Sequence, residues 1–445
     1  MLKPRVRRAA ALTVGVALLV PTTACGAQEP EEAAEIPRVR LYGADGNMLN
    51  TFRDEFDGQV TLLDGMKGTA PRTPLSQDFL ARLHSVDPDL NEYLYAAETY
   101  DAIVITALAA ELARSSKPER IAQQINGVTT GGERCLAVAT CLKLAREGAD
   151  IEYRGPSLRT AGFTDAGEPA TASYATLHFD EDGLINDGKT EFVGAGNASA
   201  ATSKTPPSPA GSPARGERLK LGELLPRTGD LAFAYPPMRA GARLALKEIN
   251  AAGGVFGNPV EWVEGDDGTD PEVAKATVRR HIEEGVHVII GAGGSGISRA
   301  VLPDVVDAGL ILFSPSNTDA GLSEIDDNGL YFRSAPPDNL QGRALADVIL
   351  RDGPQKIAIV ARKDSYGLGL QENVRSELEQ AGIPADRLKL MTYEPPAEGG
   401  SQQVDFSAGA KEIKEFGADA VLVIGYSESA AVIKALHAAG VQFAH

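Results

Sequence analysis

From residue 219 onward, short runs of aliphatic and β-branched residues alternate with longer stretches whose apolar positions follow a helical period. The runs at 219–225, 260–264, 286–290 and 310–313 predict strands, and the stretches at 235–252, 271–284 and 297–308 predict amphipathic helices. The first of these helices is closed by Gly253 and Gly254, and the second opens on Asp270, a good N-cap residue. The pattern then repeats, with strands expected at 356–360, 388–392 and 420–424 and helices at 368–381, 406–416 and 429–439. Strands that are apolar throughout, rather than alternating, belong to parallel sheets covered by helices on both faces. The N-terminal half is less regular: a strand at 39–43, helices at 75–84 and 92–113, and β-like segments at 173–179. No internal repeat is strong enough to make the halves duplicates.

The halves read as if in the wrong order. The last strand–helix unit, 420–440, has no partner strand after it, and a strand fit to follow it lies at 39–43. Joining the ends on paper gives a complete α/β protein of two doubly wound lobes, each with a parallel sheet, and a cleft between them. The expected divisions are a leader at 1–25, a tether at 26–36, a segment at 37–193 that completes both lobes, a linker at 194–216, and the cores of the two lobes at 217–335 and 336–445. The stretch 197–215, rich in Ser, Ala, Thr and Pro and without apolar periodicity, is expected to be unstructured. A flexible linker of about 20 residues spans roughly 25 Å, enough to bridge neighbouring termini on one globular body.

Composition narrows the class. Of 445 residues, 43% are apolar and 23% charged, as in a soluble globular protein, and the net charge of -18 argues against nucleic acid or an anionic membrane surface as the main partner. Only the leader is basic. Lys3, Arg5, Arg7 and Arg8 precede a short apolar run at 9–20, the form of an export signal. Thr22-Thr-Ala-Cys25-Gly26 resembles a bacterial lipoprotein processing site, with Thr22 where Leu is usual. It predicts acylation of Cys25 and attachment to the bilayer outside the cytoplasm. Ordinary cleavage and an uncleaved anchor are the alternatives. Export also places Cys135 and Cys141 in an oxidising compartment. A local disulfide is expected there, with two buried thiols as the alternative. It would pin the turn before a helix at 142–147 and contribute on the order of 2 kcal/mol.

In open α/β sheets ligands bind where strand C-termini give way to helix N-termini. Four such places carry polar residues: 290–296 with Ser295, 313–318 with Ser316, Asn317 and Thr318, 424–428 with Tyr426, and 42–46 with Asp45. Ser295 at a helix start suits an anion such as a carboxylate. Each residue also has a plain reading. Ser295 and Thr318 serve equally as helix caps, Tyr366 and Tyr426 as packing residues, and Asp45 as a turn residue before Gly46. An enzyme is poorly supported. Gly291-Ala-Gly-Gly-Ser-Gly296 fits a dinucleotide-binding spacing, but the next strand ends in Ser314-Pro-Ser-Asn317 with no acid to hold a ribose. The sequence around Ser295 is not that of a hydrolase nucleophile elbow. The histidines are scattered, His281 and His287 are expected at the surface, and neither a metal nor another cofactor is expected.

From Lys220-Leu-Gly-Glu-Leu-Leu-Pro-Arg-Thr-Gly-Asp230 through the stretch 241–254, the chain resembles the start of a type I periplasmic binding protein, closest to the branched-chain amino-acid-binding group of ABC importers. Asp364-Ser-Tyr-Gly-Leu-Gly-Leu370 is similar to the opening of that family's second lobe. Tyr95-Ala-Ala-Glu-Thr-Tyr-Asp-Ala102 and Gly162-Phe-Thr-Asp-Ala-Gly-Glu-Pro169 are similar to segments that come late in it. The resemblance therefore implies a circular permutation.

The resemblance also implies roles. Ser295 and Thr318 fall where the family holds a ligand carboxylate. Asp45 and the Ser316 carbonyl fall where it holds an α-ammonium, and Tyr366 and Tyr426 line the second lobe's wall. Amino-acid binders of the family commonly have Glu where this chain has Asp45, so the head group need not be that of leucine. Asn317 adds polarity where small apolar residues suit an aliphatic ligand. The expected function is a lipid-tethered receptor that closes two lobes on an amino acid or amide and docks on a membrane permease. A sensor with the same cleft and a non-functional rearrangement are the rivals.

Overall fold

The computed structural model describes residues 38–208, 217–396 and 404–444. The leader, Cys25 and the tether lie outside the described residues. Among the described residues no helix is long and apolar enough to cross a membrane.

Two parallel sheets organise the described chain. One has five strands in the order Tyr331–Arg333, Ile311–Ser314, Val288–Gly291, Lys220–Leu224 and Glu261–Val263, all parallel. The other has seven, in the order Leu388–Tyr393, Ile357–Arg362, Ala420–Ile424, Arg40–Gly43, Lys67–Pro71, Thr171–His178 and Glu191–Gly196. Its first five are parallel, and Thr171–His178 pairs antiparallel with both of its neighbours, Lys67–Pro71 and Glu191–Gly196. The fully buried strands Val288–Gly291, Ile311–Ser314, Ile357–Arg362 and Ala420–Ile424 are the continuous apolar runs of the sequence, as two-sided burial requires.

The strand nearest the beginning of the chain lies beside the one nearest its end. Arg40, Leu41, Tyr42 and Gly43 pair in parallel with Ala420, Val421, Leu422 and Val423. Val39 N–H donates to Gln442 O at 2.8 Å, and Ala444 N–H donates to Val39 O at 2.9 Å. If the ends are taken as joined, the five parallel strands of the larger sheet run in the spatial order second, first, third, fourth, fifth. The smaller sheet has the same order.

Helices complete each lobe. Tyr235–Ala251, Pro271–Glu283 and Ser295–Asp307 cover the smaller sheet, joined by Ala96–Ala113, Pro118–Val128 and Val138–Glu147 from the N-terminal half. Asp338–Arg351, Ser365–Gln380, Ser407–Phe416 and Ala430–Ala438 cover the larger one. Ala96–Ala113 is buried around almost its whole circumference.

Three expectations are corrected. The stretch 194–216 is not a linker throughout, because Glu191–Gly196 is a strand and 197–208 pack on the protein. Thr202 N–H donates to Phe163 O at 2.7 Å and Gln124 Nε2 donates to Pro207 O at 2.8 Å, while the Pro206 ring occupies the space over Gly127. Residues 209–216 lie outside the described residues. Cys135 and Cys141 are joined, but Cys141 lies inside the helix Val138–Glu147, so the bridge ties a strand end to the first turn of a helix.

The third correction is His281, which is fully buried, not at the surface. It continues the inward stripe of Ala274, Thr277 and Val278 on its helix, and its Nε2 meets Glu223 O at 2.7 Å. Gly222 makes the room: a Cβ there would stand 2.8 Å from the imidazole.

Candidate ligand-binding site

The loops that follow the sheets' strands meet between the lobes. After Arg40–Gly43 the chain turns at Asp45, which is 5% exposed. Three donors from separate stretches converge on its carboxylate. Tyr95 Oη donates to Oδ2 at 2.7 Å, Tyr366 Oη to Oδ1 at 2.8 Å, and Gln341 Nε2 to Oδ1 at 2.9 Å. Tyr95 holds a left-handed backbone with φ of 60°. This is why the helix expected from 92 begins only at Ala96, and such a conformation costs a bulky residue about 1–2 kcal/mol. Gly46 lets the Asp45 turn approach the other strand-end loop, since a Cβ on it would stand 2.4 Å from Gly425 O. Burial raises the Asp45 carboxyl above its usual value, and the Tyr95, Gln341 and Tyr366 hydrogen bonds pull it back only in part.

Tyr366 and Tyr426 form the wall beside it. Their rings stack at 5.3 Å with an interplanar angle of 15°. The guanidinium of Arg362 lies 3.9 Å from the Tyr426 ring centroid. It is itself held by Glu428 at 2.8 Å and Asp364 at 2.5 Å. Burial works against this cation, but Glu428 and Asp364 keep its pKa above the ordinary arginine value.

The other lobe presents Ser295, Ser316, Asn317 and Thr318, all buried. Ser295 is the first residue of Ser295–Asp307, with Gly294 as N-cap. It is not the cap. Its Oγ accepts from the N–H groups of Thr318 and Asp319, each at 3.2 Å, which leaves its own hydrogen to donate. The first N–H groups of that helix have no partner within it, so the helix start favours negative charge. Ser316 Oγ donates to Gly293 O at 2.8 Å. The Asn317 amide is occupied with the scaffold: Nδ2 donates to Ala292 O and Gly293 O, both at 3.0 Å, and Oδ1 accepts from Tyr331 Oη at 3.1 Å.

The lobes are in contact across this region. The Tyr426 hydroxyl lies 3.6 Å from where a Cβ on Gly294 would stand, and Ser427 Oγ donates to Asp230 O at 3.2 Å. Asp338 N–H donates to Thr318 O at 2.6 Å. Gln341, one turn on from Asp338 in the same helix, donates to Asp45 Oδ1 at 2.9 Å, so Asp338–Arg351 bonds both to the acid near one end of the chain and to the loop of hydroxyls beyond its midpoint. The cleft is closed.

Of the residues expected at strand ends, Ser295 accepts from Thr318 N–H in one lobe; in the other, Tyr366, expected from the resemblance, donates to Asp45 and stacks on Tyr426. Sequence reasoning missed Tyr95, Gln341, Asp338 and Arg362. Tyr95 opens a stretch already notable for its resemblance, and Arg362 ends an apolar strand with a charge. Gln341 and Asp338 carried no local signal. Among the described residues no group of His, Cys, Asp or Glu is arranged to hold a metal ion.

Residues 218–445 match the family model described as periplasmic binding protein, just over half of the chain. A leucine-, isoleucine-, valine-, threonine- and alanine-binding protein of Pseudomonas aeruginosa is 32% identical over 213 residues, which are 47% of this chain and 54% of that protein. The leucine-specific-binding protein of Salmonella typhimurium is 31% identical over 201 residues, 44% of this chain and 50% of that one. The chain thus spans about half the length of the curated relatives it matches. Among solved structures, the branched-chain amino acid transporter substrate binding protein LivJ from Streptococcus pneumoniae, in complex with isoleucine, is 24% identical with a TM-score of 0.43, covering 51% of this chain and 63% of that one.

Proposed function

The chain belongs to the periplasmic binding protein family, and from that premise we propose that it captures an amino acid or a related amino compound between its lobes and delivers it to the permease of an ABC importer. One observation supports the reading: the helix Asp338–Arg351 bonds both to the buried acid Asp45, through Gln341, and to Thr318 O, beside the Ser295 hydroxyl at a helix start. A zwitterion entering a dry cleft needs an acid for its ammonium and neutral donors for its carboxylate, because an unpaired buried charge is costly. The relatives' names, which mention leucine, isoleucine, valine, threonine and alanine, support the ligand class. Asp45 in place of the longer Glu leaves room for a larger head group. Periplasmic binding proteins work outside the cytoplasm as binding proteins, not enzymes. Acylation of Cys25 would hold this one on the membrane.

The ligand meets Ser295 and Thr318 on the first lobe and then favours closure, because Asp45, Tyr366 and Tyr426 arrive with the second. It shifts the open–closed balance only by its greater affinity for the closed form. The shared strand order of the two sheets supports a circular permutation, in which residues 37–193 supply what the family's sequence places last. Native mass spectrometry of the purified chain, followed by identification of the small molecule released on unfolding, tests the reading. An amino compound at one copy per chain is expected. Retention of a nucleotide or a sugar would contradict it.

A further inference from the structure

The two acids of the cleft are in different situations. Asp45 is already engaged by three neutral donors. Asp338, the first residue of Asp338–Arg351, is fully buried, and neither of its carboxylate oxygens has a hydrogen-bond partner. It does not cap its own helix, which has Pro337 in that position. The Thr318 hydroxyl is close enough to ease the charge but forms no well-directed hydrogen bond to either oxygen. The nearby cation, Arg333, is fully engaged elsewhere. Its Nε and Nη2 meet Glu168 at 2.9 and 2.5 Å, Nη2 meets Ser323 Oγ at 2.6 Å, and Nη1 meets Asp319 O at 2.8 Å.

The titratable and charged groups around Asp338 come from every neighbouring stretch: Asp45, Tyr95, Tyr174, Asp319, Arg333 and Tyr366. None of them is a cation free to pair with it. Gln341 Oε1 and Thr69 Oγ1, also buried, lack hydrogen-bond partners beside the same acids. The two Asp338 oxygens and Gln341 Oε1 are buried acceptors without donors, and they are complementary to a group made of donors.

We propose that Asp338 is a ligand contact, a second acid that grips the ligand's ammonium or guanidinium group together with Asp45. This rests on the solute-capture reading and deepens it by making the cationic group the feature the cleft selects. Two carboxylates this close cannot both stay charged in a dry site without a cation. Before a cation arrives, the pair therefore holds a proton. An arriving ammonium displaces it to solvent, and no covalent bond other than that O–H changes.

The test uses the full chain and calorimetry with L-leucine, L-isoleucine, L-valine, L-threonine and L-alanine. Each is compared with its amide, which keeps the ammonium, and with its deaminated acid, which keeps only the carboxylate. Titrations in two buffers of different ionisation enthalpy count the protons released. The amino acid that binds is expected to keep affinity within about tenfold as its amide and to lose at least about a hundredfold as its deaminated acid. It should release up to one proton at pH 7. Asp338→Asn should weaken both ammonium-bearing probes at least tenfold and abolish the release. Unchanged affinity in that variant, or equal binding of the deaminated acid, overturns the role of Asp338 and leaves solute capture standing. Should the variant fail to fold, the wild-type proton count decides, and no release overturns the proposal. If no probe binds the wild type, the capture of amino compounds falls as well.

Discussion

Tyr366 donates its hydroxyl to Asp45 at 2.8 Å, across 321 positions of sequence. The bond ties the first turn of Ser365–Gln380 to the loop after Arg40–Gly43, so the cleft acid is oriented by a residue from the opposite end of the chain. Replacing Tyr366 with Phe removes a hydrogen bond to a charged group but keeps the ring stacked on Tyr426. Ligand affinity should fall about tenfold, near 1.4 kcal/mol, with the fold unchanged by circular dichroism. Undiminished affinity would mean that Tyr366 packs the wall without orienting the acid.

The neighbouring ends make a second prediction. Val39 and Phe443 form a parallel bridge, so a flexible Gly-Ser link of about six residues can reach from 444 back to 38. A rearranged chain that starts at 217 and ends at 208, with that link inside it, should melt cooperatively within a few degrees of the original and bind the same ligand. A rearranged chain that aggregates, or folds without binding, would remove the permutation from the account.

Glu98 gives a pH dependence. It lies in the first turn of Ala96–Ala113, and burial pushes its carboxyl up to about 8, with Asp101 adding to the rise and Arg72 opposing it. A group whose folded pKa lies above its unfolded value near 4.5 stabilises the fold fully below that value, and its contribution is lost as pH rises through about 8. Denaturant titrations between these limits should show stability falling by up to about 1.4 kcal/mol per pH unit from this residue. Glu98→Gln, which mimics the protonated form, should flatten that slope. An equal slope in both proteins would place the titration elsewhere.

Much of this fold was legible because two-sided burial writes itself as unbroken apolar runs. Val288–Gly291, Ile311–Ser314, Ile357–Arg362 and Ala420–Ile424 all follow from that pattern. Asp338–Arg351 was missed because Gly342 interrupts its helical pattern; a Cβ there would stand 2.7 Å from Asn373 of the neighbouring helix, so the glycine serves close packing. Residues 194–196, the end of the strand Glu191–Gly196, fell in the expected linker because an edge strand needs no continuous apolar run; Phe192 and Val193 are exposed. His281 was misplaced because the two things that accommodate its ring, the Glu223 carbonyl at Nε2 and the space over Gly222, are not visible along the chain. In the cleft, residues at strand ends were legible from topology. Asp338 and Gln341 were not, because their role depends on which oxygens remain without partners once the lobes have met.

One acid near the start of the chain and hydroxyls beyond its midpoint are expected to hold the same small molecule. Calorimetric titration of wild type, Asp45→Ala and Ser295→Ala with the amino compound retained on purification tests it most directly. Each variant should lose affinity, Asp45→Ala by at least about 30-fold, as expected on removing one partner of a buried charged pair. Wild-type affinity in a folded Asp45→Ala protein would contradict the account.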